Sequence, residues 1–143
     1  FFVFGDRANL STEGNTRIPM MTDGLSKTVM FSERYGTCGR SGDPNHSSTL
    51  GNLWADSNVR WRPHFCMNGQ QPEATTLASG CNMFQVMPDW IRDCDNTSAQ
   101  SPHSGGILAT IADGSVSFLS DTIGVDAWKY LCDPTDGNVI SDL

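Results

Sequence analysis

The sequence predicts an α+β protein that is rich in β structure, with a small antiparallel sheet, a short C-terminal helix and long loops tied by disulfides. Turn-forming residues are abundant, with 14 Gly and 7 Pro in 143 residues, which is typical of a loop-rich chain with short strands. An Asp-Gly pair lies between two strand-like runs, and one amphipathic segment follows it. Five cysteines are dispersed along the chain, as in disulfide-tied proteins.

The length of 143 residues suits one domain with its own core, so we expect residues 1–143 to form a single globular domain. No apolar run approaches the ~20 residues of a membrane-spanning helix. The chain opens without an initiator Met or a signal peptide, and we expect a targeting segment upstream. The net charge of -7 disfavours binding to nucleic acid or to an anionic membrane surface.

Several segments ahead of the hairpin have strand character. Residues 26–34 contain Thr28, Val29 and Phe31, which predict a buried strand. Residues 82–87 predict a second strand, stopped by Pro88. The apolar run at residues 1–4 also has strand character, whereas residues 53–66 have mixed periodicity and no assignment.

A β-hairpin is the clearest local prediction. Ile107–Ala112 is an apolar run, Asp113-Gly114 is a turn, and Ser115–Ser120 alternates apolar with polar residues. The first strand is apolar on both faces and should be central, whereas the second should be half-exposed. Gly114 allows a positive φ in the turn, and Gly105-Gly106 lets the chain enter the first strand close to other backbone.

A short helix is predicted at residues 124–132. Val125, Trp128 and Leu131 or Cys132 lie on one face at helical spacing, and Pro134 ends the helix. The residues after it, 136–140, predict a last edge strand.

The cysteines predict disulfides in an oxidising compartment, because no CxxC pair suggests a zinc site. A bridge from Cys66 to Cys81 would close a local loop, and Cys94 could join distant segments through either Cys38 or Cys132. Spacing leaves the connectivity open. The odd count leaves one thiol free or paired with another chain.

Candidate catalytic groups are weighed against structural roles. His103 and Asp113 would form a dyad if a loop folded back, but we favour a His103 that bonds near the sheet and an Asp113 that serves the turn. No nucleophile signature surrounds a cysteine that could use His46, His64 or His103. We therefore predict no catalytic, cofactor-binding or metal-binding residue, no cofactor and no enzymatic activity, and assign structural roles to His103, Gly105, Gly106, Asp113 and Gly114.

Two further alternatives stay open. The segment from Asp133 to Asn138 carries oxygen ligands around a glycine turn, as a calcium loop does, but an ordinary solvated turn is favoured. Trp54, Trp61 and Trp90 either pack under loops or bind a carbohydrate or another protein, whereas Trp128 is expected to pack on its helix.

The spacing from His103 to Asp113-Gly114, with nine residues between the His and the Asp, resembles the signature of prepilin-type proteins, an uncharacterised family abundant in planctomycete bacteria. The segments Asp23–Phe31, Glu33–Tyr35, Cys94–His103 and Trp128–Ile140 resemble the same family in order and spacing. The similarity spans roughly residues 17–143. Family members begin with a pilin-like leader and a long apolar helix, and we expect residues 1–143 to correspond to the globular part that follows them.

This resemblance implies a pilin-like globular head that is exported to the cell surface, the extracellular space or the periplasm. It implies a structural subunit of a filament or surface array, whose partners are copies of itself or other cell-surface proteins. The alternative is a surface binding or adhesion module that recognises a glycan or protein through aromatic-rich loops. No small-molecule substrate is indicated.

Overall fold

The computed structural model describes residues 17–38, 82–95, 98–138 and 140. Several sequence-based predictions lie outside these residues: the segments 1–4 and 53–66, the cysteines Cys66 and Cys81, the histidines His46 and His64, and the tryptophans Trp54 and Trp61. The described residues form an α+β fold with a small antiparallel sheet and one C-terminal helix, as the sequence predicts.

The principal sheet has three antiparallel strands. The strands are β1 (Val29–Ser32), β4 (Gly106–Ile111) and β5 (Val116–Ser120), in the order β1-β4-β5. The turn between β4 and β5 contains Gly114, whose φ is 93°. The predicted hairpin and the central position of its first strand are therefore confirmed.

Alternation along β4 divides the sheet into a core face and an outer face. Ile107, Ala109 and Ile111 are buried, whereas Leu108 is exposed on the opposite face. A bulge in β1 lets Val29 pair with Ile111 in the core. Beyond the bulge, Phe31 pairs with Thr110 on the outer face and is partly exposed.

A second sheet consists of two short parallel strands, β2 (Gln85–Val86) and β3 (Gln100–Ser101). The strand predicted at residues 82–87 is present in this shortened form. Residues 88–105 contain β3 as well as loops, and β3 lies where no strand was predicted.

The helix α1 (Val125–Cys132) covers the core face of the principal sheet. Trp128, Leu131 and Cys132 are buried, whereas Val125 at the first turn is 42% exposed. The predicted apolar face is therefore wrong at Val125. The Trp128 indole packs edge-on against Phe84, with ring centroids 5.0 Å apart, and its Nε1–H donates to the Asn82 carbonyl at 3.1 Å.

The last predicted strand is wrong at the described positions 136–138 and 140, which are bend or irregular backbone. Asp133 accepts the Thr135 N–H at 3.0 Å, and Asp136 accepts the Asn138 N–H at 2.7 Å. Such local side-chain bonds to backbone favour turns over an extended ladder.

Candidate functional site

Glu33 follows β1 directly and extends the pairing of β1 with β4 through its side chain. Its backbone N–H donates to the Leu108 carbonyl at 3.3 Å, and its Oε2 accepts the Leu108 N–H at 2.9 Å. In a regular antiparallel pair, a carbonyl of the opposite strand takes that N–H. The Glu33 carboxylate therefore stands in for a backbone carbonyl at the end of the sheet.

The same carboxylate binds two residues from β3 and the turn that follows it. Its Oε2 also accepts the Ser101 hydroxyl at 3.0 Å, and its Oε1 lies 2.9 Å from His103 Nε2. Ser101 is fully buried, whereas the His103 side chain is 52% exposed. We call Glu33, Ser101 and His103 the carboxylate brace, because one carboxylate joins β1, β3 and the turn that leads into β4.

The carboxylate brace does not have the order of a hydrolase triad. In such a triad, the imidazole takes the proton of the serine hydroxyl. Here the Ser101 hydroxyl donates to Glu33 and accepts the His103 backbone N–H at 3.1 Å. The imidazole contacts the carboxylate instead, so the three groups connect backbone segments.

Asp113 lies at the other end of β4 from His103. Its Oδ1 accepts the Ser115 hydroxyl at 2.7 Å and the Ser115 N–H at 2.9 Å, and these bonds hold the pKa of Asp113 below its ordinary value. The six residues of β4 span roughly 20 Å at the usual strand rise. The structure therefore does not bring His103 and Asp113 together as a dyad.

A disulfide joins Cys38, in the loop after β1, to Cys94, in the loop after β2, and the two Cα atoms lie 5.3 Å apart. The backbone next to Cys94 is held from the other side by Gln85 of β2. The Gln85 Nε2 donates to the Asp93 carbonyl at 2.7 Å, and its Oε1 accepts the Asp95 N–H at 2.6 Å. A disulfide of this kind indicates an oxidising, non-cytoplasmic environment.

Buried Gln100 of β3 ties the same region to the segment after β1. Its Oε1 accepts the Tyr35 N–H at 3.3 Å, and its Nε2 donates to the carbonyls of Asp95 and Ser98. Arg34 Nη1 also donates to the Ser98 carbonyl, at 3.0 Å. Burial lowers the pKa of Arg34 to about 10, against the opposing effect of Asp95, so the guanidinium stays charged at neutral pH.

Cys132 is a buried free thiol on α1. The proposed alternative bridge from Cys94 to Cys132 is therefore wrong. Burial raises the pKa of the Cys132 thiol well above its ordinary value, and the charge of Asp133 raises it further. A thiol in such surroundings is a poor nucleophile.

The C-terminal turn has its carboxylates engaged with backbone. Besides the bonds made by Asp133 and Asp136, the Asp23 carboxylate accepts the Gly137 N–H at 3.2 Å. The Asp23 N–H donates to the Pro134 carbonyl at 3.2 Å. Within the described ranges, no group of three or more His, Cys, Asp or Glu side chains is placed to hold a metal ion.

The loop after β2 exposes two large apolar side chains. Trp90 is 47% exposed and Met87 is 60% exposed, and Met87 has a φ of 48°. Asp89 accepts the N–H groups of Ile91 and Arg92 at 3.0 and 2.9 Å, which shapes the loop and lowers the pKa of Asp89.

Sequence reasoning missed the central role of Glu33 and the two glutamines. Glu33 and His103 lie 70 positions apart in the chain, and no periodicity links them. A polar residue directly after a strand that is predicted to be buried, such as Glu33, is the one available signal, because a buried polar group needs a partner.

The fold and the carboxylate brace define the class of protein. It is an α+β protein, tied by a disulfide, in which polar side chains form hydrogen bonds that link separate backbone segments. The chain belongs to a family described as proteins of unknown function (DUF1559), whose model matches residues 3–126. Searches of curated proteins and of solved structures gave no match. In the part of the chain that the structure describes, no helix is long and apolar enough to cross a membrane.

Proposed function

We propose that this chain is an exported structural subunit of a pilin-like assembly, a filament or a surface array, outside the cytoplasmic membrane. The observation that carries the proposal is the use of the signature residues. His103 contacts Glu33 at 2.9 Å and Asp113 closes a turn, so both support backbone geometry. The resemblance to prepilin-type proteins supplies the kind of assembly.

The disulfide between Cys38 and Cys94 supports export. It ties the loop after β1 to the loop after β2 across 56 positions of sequence. Such bridges persist in oxidising compartments and are rare in the cytosol of mesophiles.

A non-catalytic role is part of the proposal. Among the described residues, two groups that a hydrolase could use are held in another way. The Ser101 hydroxyl is buried against Glu33, and the Cys132 thiol is buried with a raised pKa. We infer a subunit without catalytic chemistry, whose partners are copies of itself or other cell-surface proteins.

The location and the assembly are tested together on intact cells. A membrane-impermeant amine reagent should label the chain before lysis, and the labelled native material should sediment far faster than a single copy of the protein. A known cytosolic protein is the negative control for leakage. Labelling only after lysis, or sedimentation as a monomer, contradicts the proposal.

A second function, binding of a glycan or protein ligand, is favoured by the exposed loop that carries Met87 and Trp90. An exposed indole beside an apolar side chain is suited to stack on a sugar ring or a partner. Trp90→Ala should then abolish binding on a glycan array while leaving the fold unchanged. Identical array profiles for the wild type and the variant contradict this function.

A further inference from the structure

The five residues after the β1 side of the carboxylate brace lie against the segment that contains β3, and we call these residues, 34–38, the strap. The strap is irregular backbone. Arg34 Nη1 donates to the Ser98 carbonyl at 3.0 Å, and the Tyr35 N–H donates to Gln100 Oε1 at 3.3 Å. Each of these bonds uses a side chain of one partner, in contrast to the backbone pairs of a sheet ladder.

The far end of the strap is held covalently, by the disulfide between Cys38 and Cys94. Cys38 is fully buried, whereas Cys94 is half-buried. The Gln85 side chain binds the backbone on both sides of Cys94 without using the disulfide. The strap is therefore the partner that can move when the bond between the two sulfurs is broken.

The strap is separate from the apolar core. Among the described residues, that core is built from the two sheets, α1 and short flanking segments, and none of its side chains comes from the strap. Cys38 is buried, but it lies outside this core. A segment with few buried apolar contacts can open without unfolding the rest of a protein. At its other end, Glu33 stays attached, because its N–H and its carboxylate both bind Leu108.

We propose that the strap is a redox latch. With Cys38 and Cys94 reduced, residues 34–38 leave their docked position while the principal sheet and α1 stay folded. The disulfide closes the strap once the chain enters an oxidising compartment. This inference rests on the export in the proposed function and adds a step to it, since the strap closes only outside the cytoplasm.

Closure is a thiol–disulfide exchange, in which a small-molecule or protein disulfide is the oxidant. With oxidised glutathione, one thiolate of the pair attacks the glutathione disulfide, forms a mixed disulfide and releases one glutathione thiolate. The second thiolate attacks the mixed disulfide, closes the bond between Cys38 and Cys94 and releases the second glutathione. The two protein thiols lose two protons and two electrons, and both electrons end on the two released glutathione molecules.

Amide hydrogen exchange, followed by NMR, measures the strap and the sheet separately. The Tyr35 N–H reports the strap. The Ala112 N–H donates to the Thr28 carbonyl at 2.8 Å and reports the pairing of β1 with β4. Both should be protected in the oxidised chain. After reduction, the Tyr35 N–H should exchange within about tenfold of the rate in an unstructured peptide, whereas the Ala112 N–H should stay at least about a hundredfold slower than that rate.

Two results of the exchange experiment overturn the latch. Unchanged protection of the Tyr35 N–H after reduction would mean that the strap stays docked without the disulfide. Equal loss of protection at Tyr35 and Ala112 would mean that the strap and the sheet open as one unit. The variant Cys38→Ala/Cys94→Ala should have the open strap with and without reductant, which assigns the effect to this bridge, and a protected Tyr35 N–H in that variant also overturns the latch.

A second measurement uses the reciprocity of the coupling. Because the disulfide favours docking of the strap, docking must favour the disulfide by the same factor. Arg34→Met removes the bond to the Ser98 carbonyl and should lower the equilibrium constant for oxidation by glutathione about tenfold. Arg92→Met is the matched control, since Arg92 is exposed, lies two positions before Cys94 and carries the same charge. It should leave that constant unchanged, and equal constants for the wild type and Arg34→Met contradict the coupling.

The outcomes separate the latch from the proposed function, because both measurements are made on the isolated chain. A redox-dependent strap in a chain that surface labelling places in the cytosol rejects the proposed function alone. Exported and assembled material whose strap fails the exchange experiment rejects the latch alone.

Discussion

Phe118 of β5 lies over Gly106 of β4 on the outer face of the sheet. A Cβ at position 106 would be 2.8 Å from Cε1 and Cζ of the Phe118 ring and 2.2 Å from the Leu119 carbonyl oxygen. The Gly106 position therefore requires glycine because of a close approach of backbone and ring.

Gly106→Ala should lower the free energy of unfolding by about 3 kcal/mol, because backbone at the Leu119 carbonyl has to move. Removing the ring in Gly106→Ala/Phe118→Ala should not restore stability, since the carbonyl remains. Gly36→Ala is the control, because a Cβ there meets nothing within 4 Å. Chemical denaturation measures all three, and a fully stable Gly106→Ala variant contradicts the account.

Removal of the Glu33 carboxylate should cost much more stability than removal of the His103 ring. Glu33→Ala leaves the Leu108 N–H and the buried Ser101 hydroxyl without their acceptor, at a cost on the order of 3 kcal/mol. His103→Ala removes a largely exposed partner and should cost less than about 1 kcal/mol.

Asp126→Ala serves as the control for loss of a carboxylate, since Asp126 makes an exposed pair with Lys129 at 3.6 Å. Its effect on urea denaturation should be small. A larger loss of stability for His103→Ala than for Glu33→Ala would assign the main role in the carboxylate brace to the imidazole instead.

The Asp113 carboxyl should titrate below its ordinary pKa. Bonds from the Ser115 hydroxyl and N–H lower the folded-state value, so the turn is stabilised above the unfolded-state pKa of about 3.9. That contribution is lost as the pH falls through the folded-state pKa. Carboxyl ¹³C shifts measured by NMR give the midpoint.

The same carboxyl in a short unstructured peptide is the reference for Asp113, and Ser115→Ala should move the midpoint toward it. An equal midpoint in the folded chain and in the peptide would contradict the turn geometry. The pH dependence of stability provides a second readout. Below pH ~4, the stability of Asp113→Ala should fall less steeply with decreasing pH than that of the wild type.

Loss of the bridge between Cys38 and Cys94 should destabilise the fold. Its sequence separation of 56 corresponds to roughly 4 kcal/mol of lost loop entropy in the unfolded chain. The variant Cys38→Ala/Cys94→Ala should therefore unfold at lower denaturant concentration than the oxidised wild type. Added reductant should shift the wild type strongly and the variant far less, and identical midpoints for the oxidised wild type and the variant would contradict the assignment.

Cys132 should be protected from alkylation in the folded chain. Its thiol is buried, and burial raises its pKa, so little thiolate is present at pH 8. Iodoacetamide treatment followed by peptide mapping should find Cys132 modified only after unfolding in guanidinium. Modification of the folded chain at the rate of the unfolded one would place the thiol at the surface.

The hairpin and the helix could be predicted because their signals are local. Asp113-Gly114 between two apolar runs fixes a turn, and Trp128 with Leu131 sets a helical face. The same periodicity was wrong at Val125, because the first turn of α1 extends past the core. The sequence pattern shows which residues share one face of a helix. It does not show how far the core that the helix packs against extends.

The links between distant segments could not be predicted in the same way. The parallel pair of Gln85–Val86 with Gln100–Ser101 is two residues long, too short for any periodicity. By spacing alone, the pair of Cys38 and Cys94 was one of several possible disulfides. Glu33 and His103 meet because β1 and β4 pair, so their contact depends on the assembled sheet.

Electron microscopy of the material isolated from its source, without refolding or tags, would image the proposed assembly itself. We expect regular filaments or arrays whose repeat matches this domain, and we expect that regularity to be lost after reduction of the disulfide between Cys38 and Cys94. Isolated particles of monomer size, at concentrations at which the native material is abundant, would contradict a structural subunit.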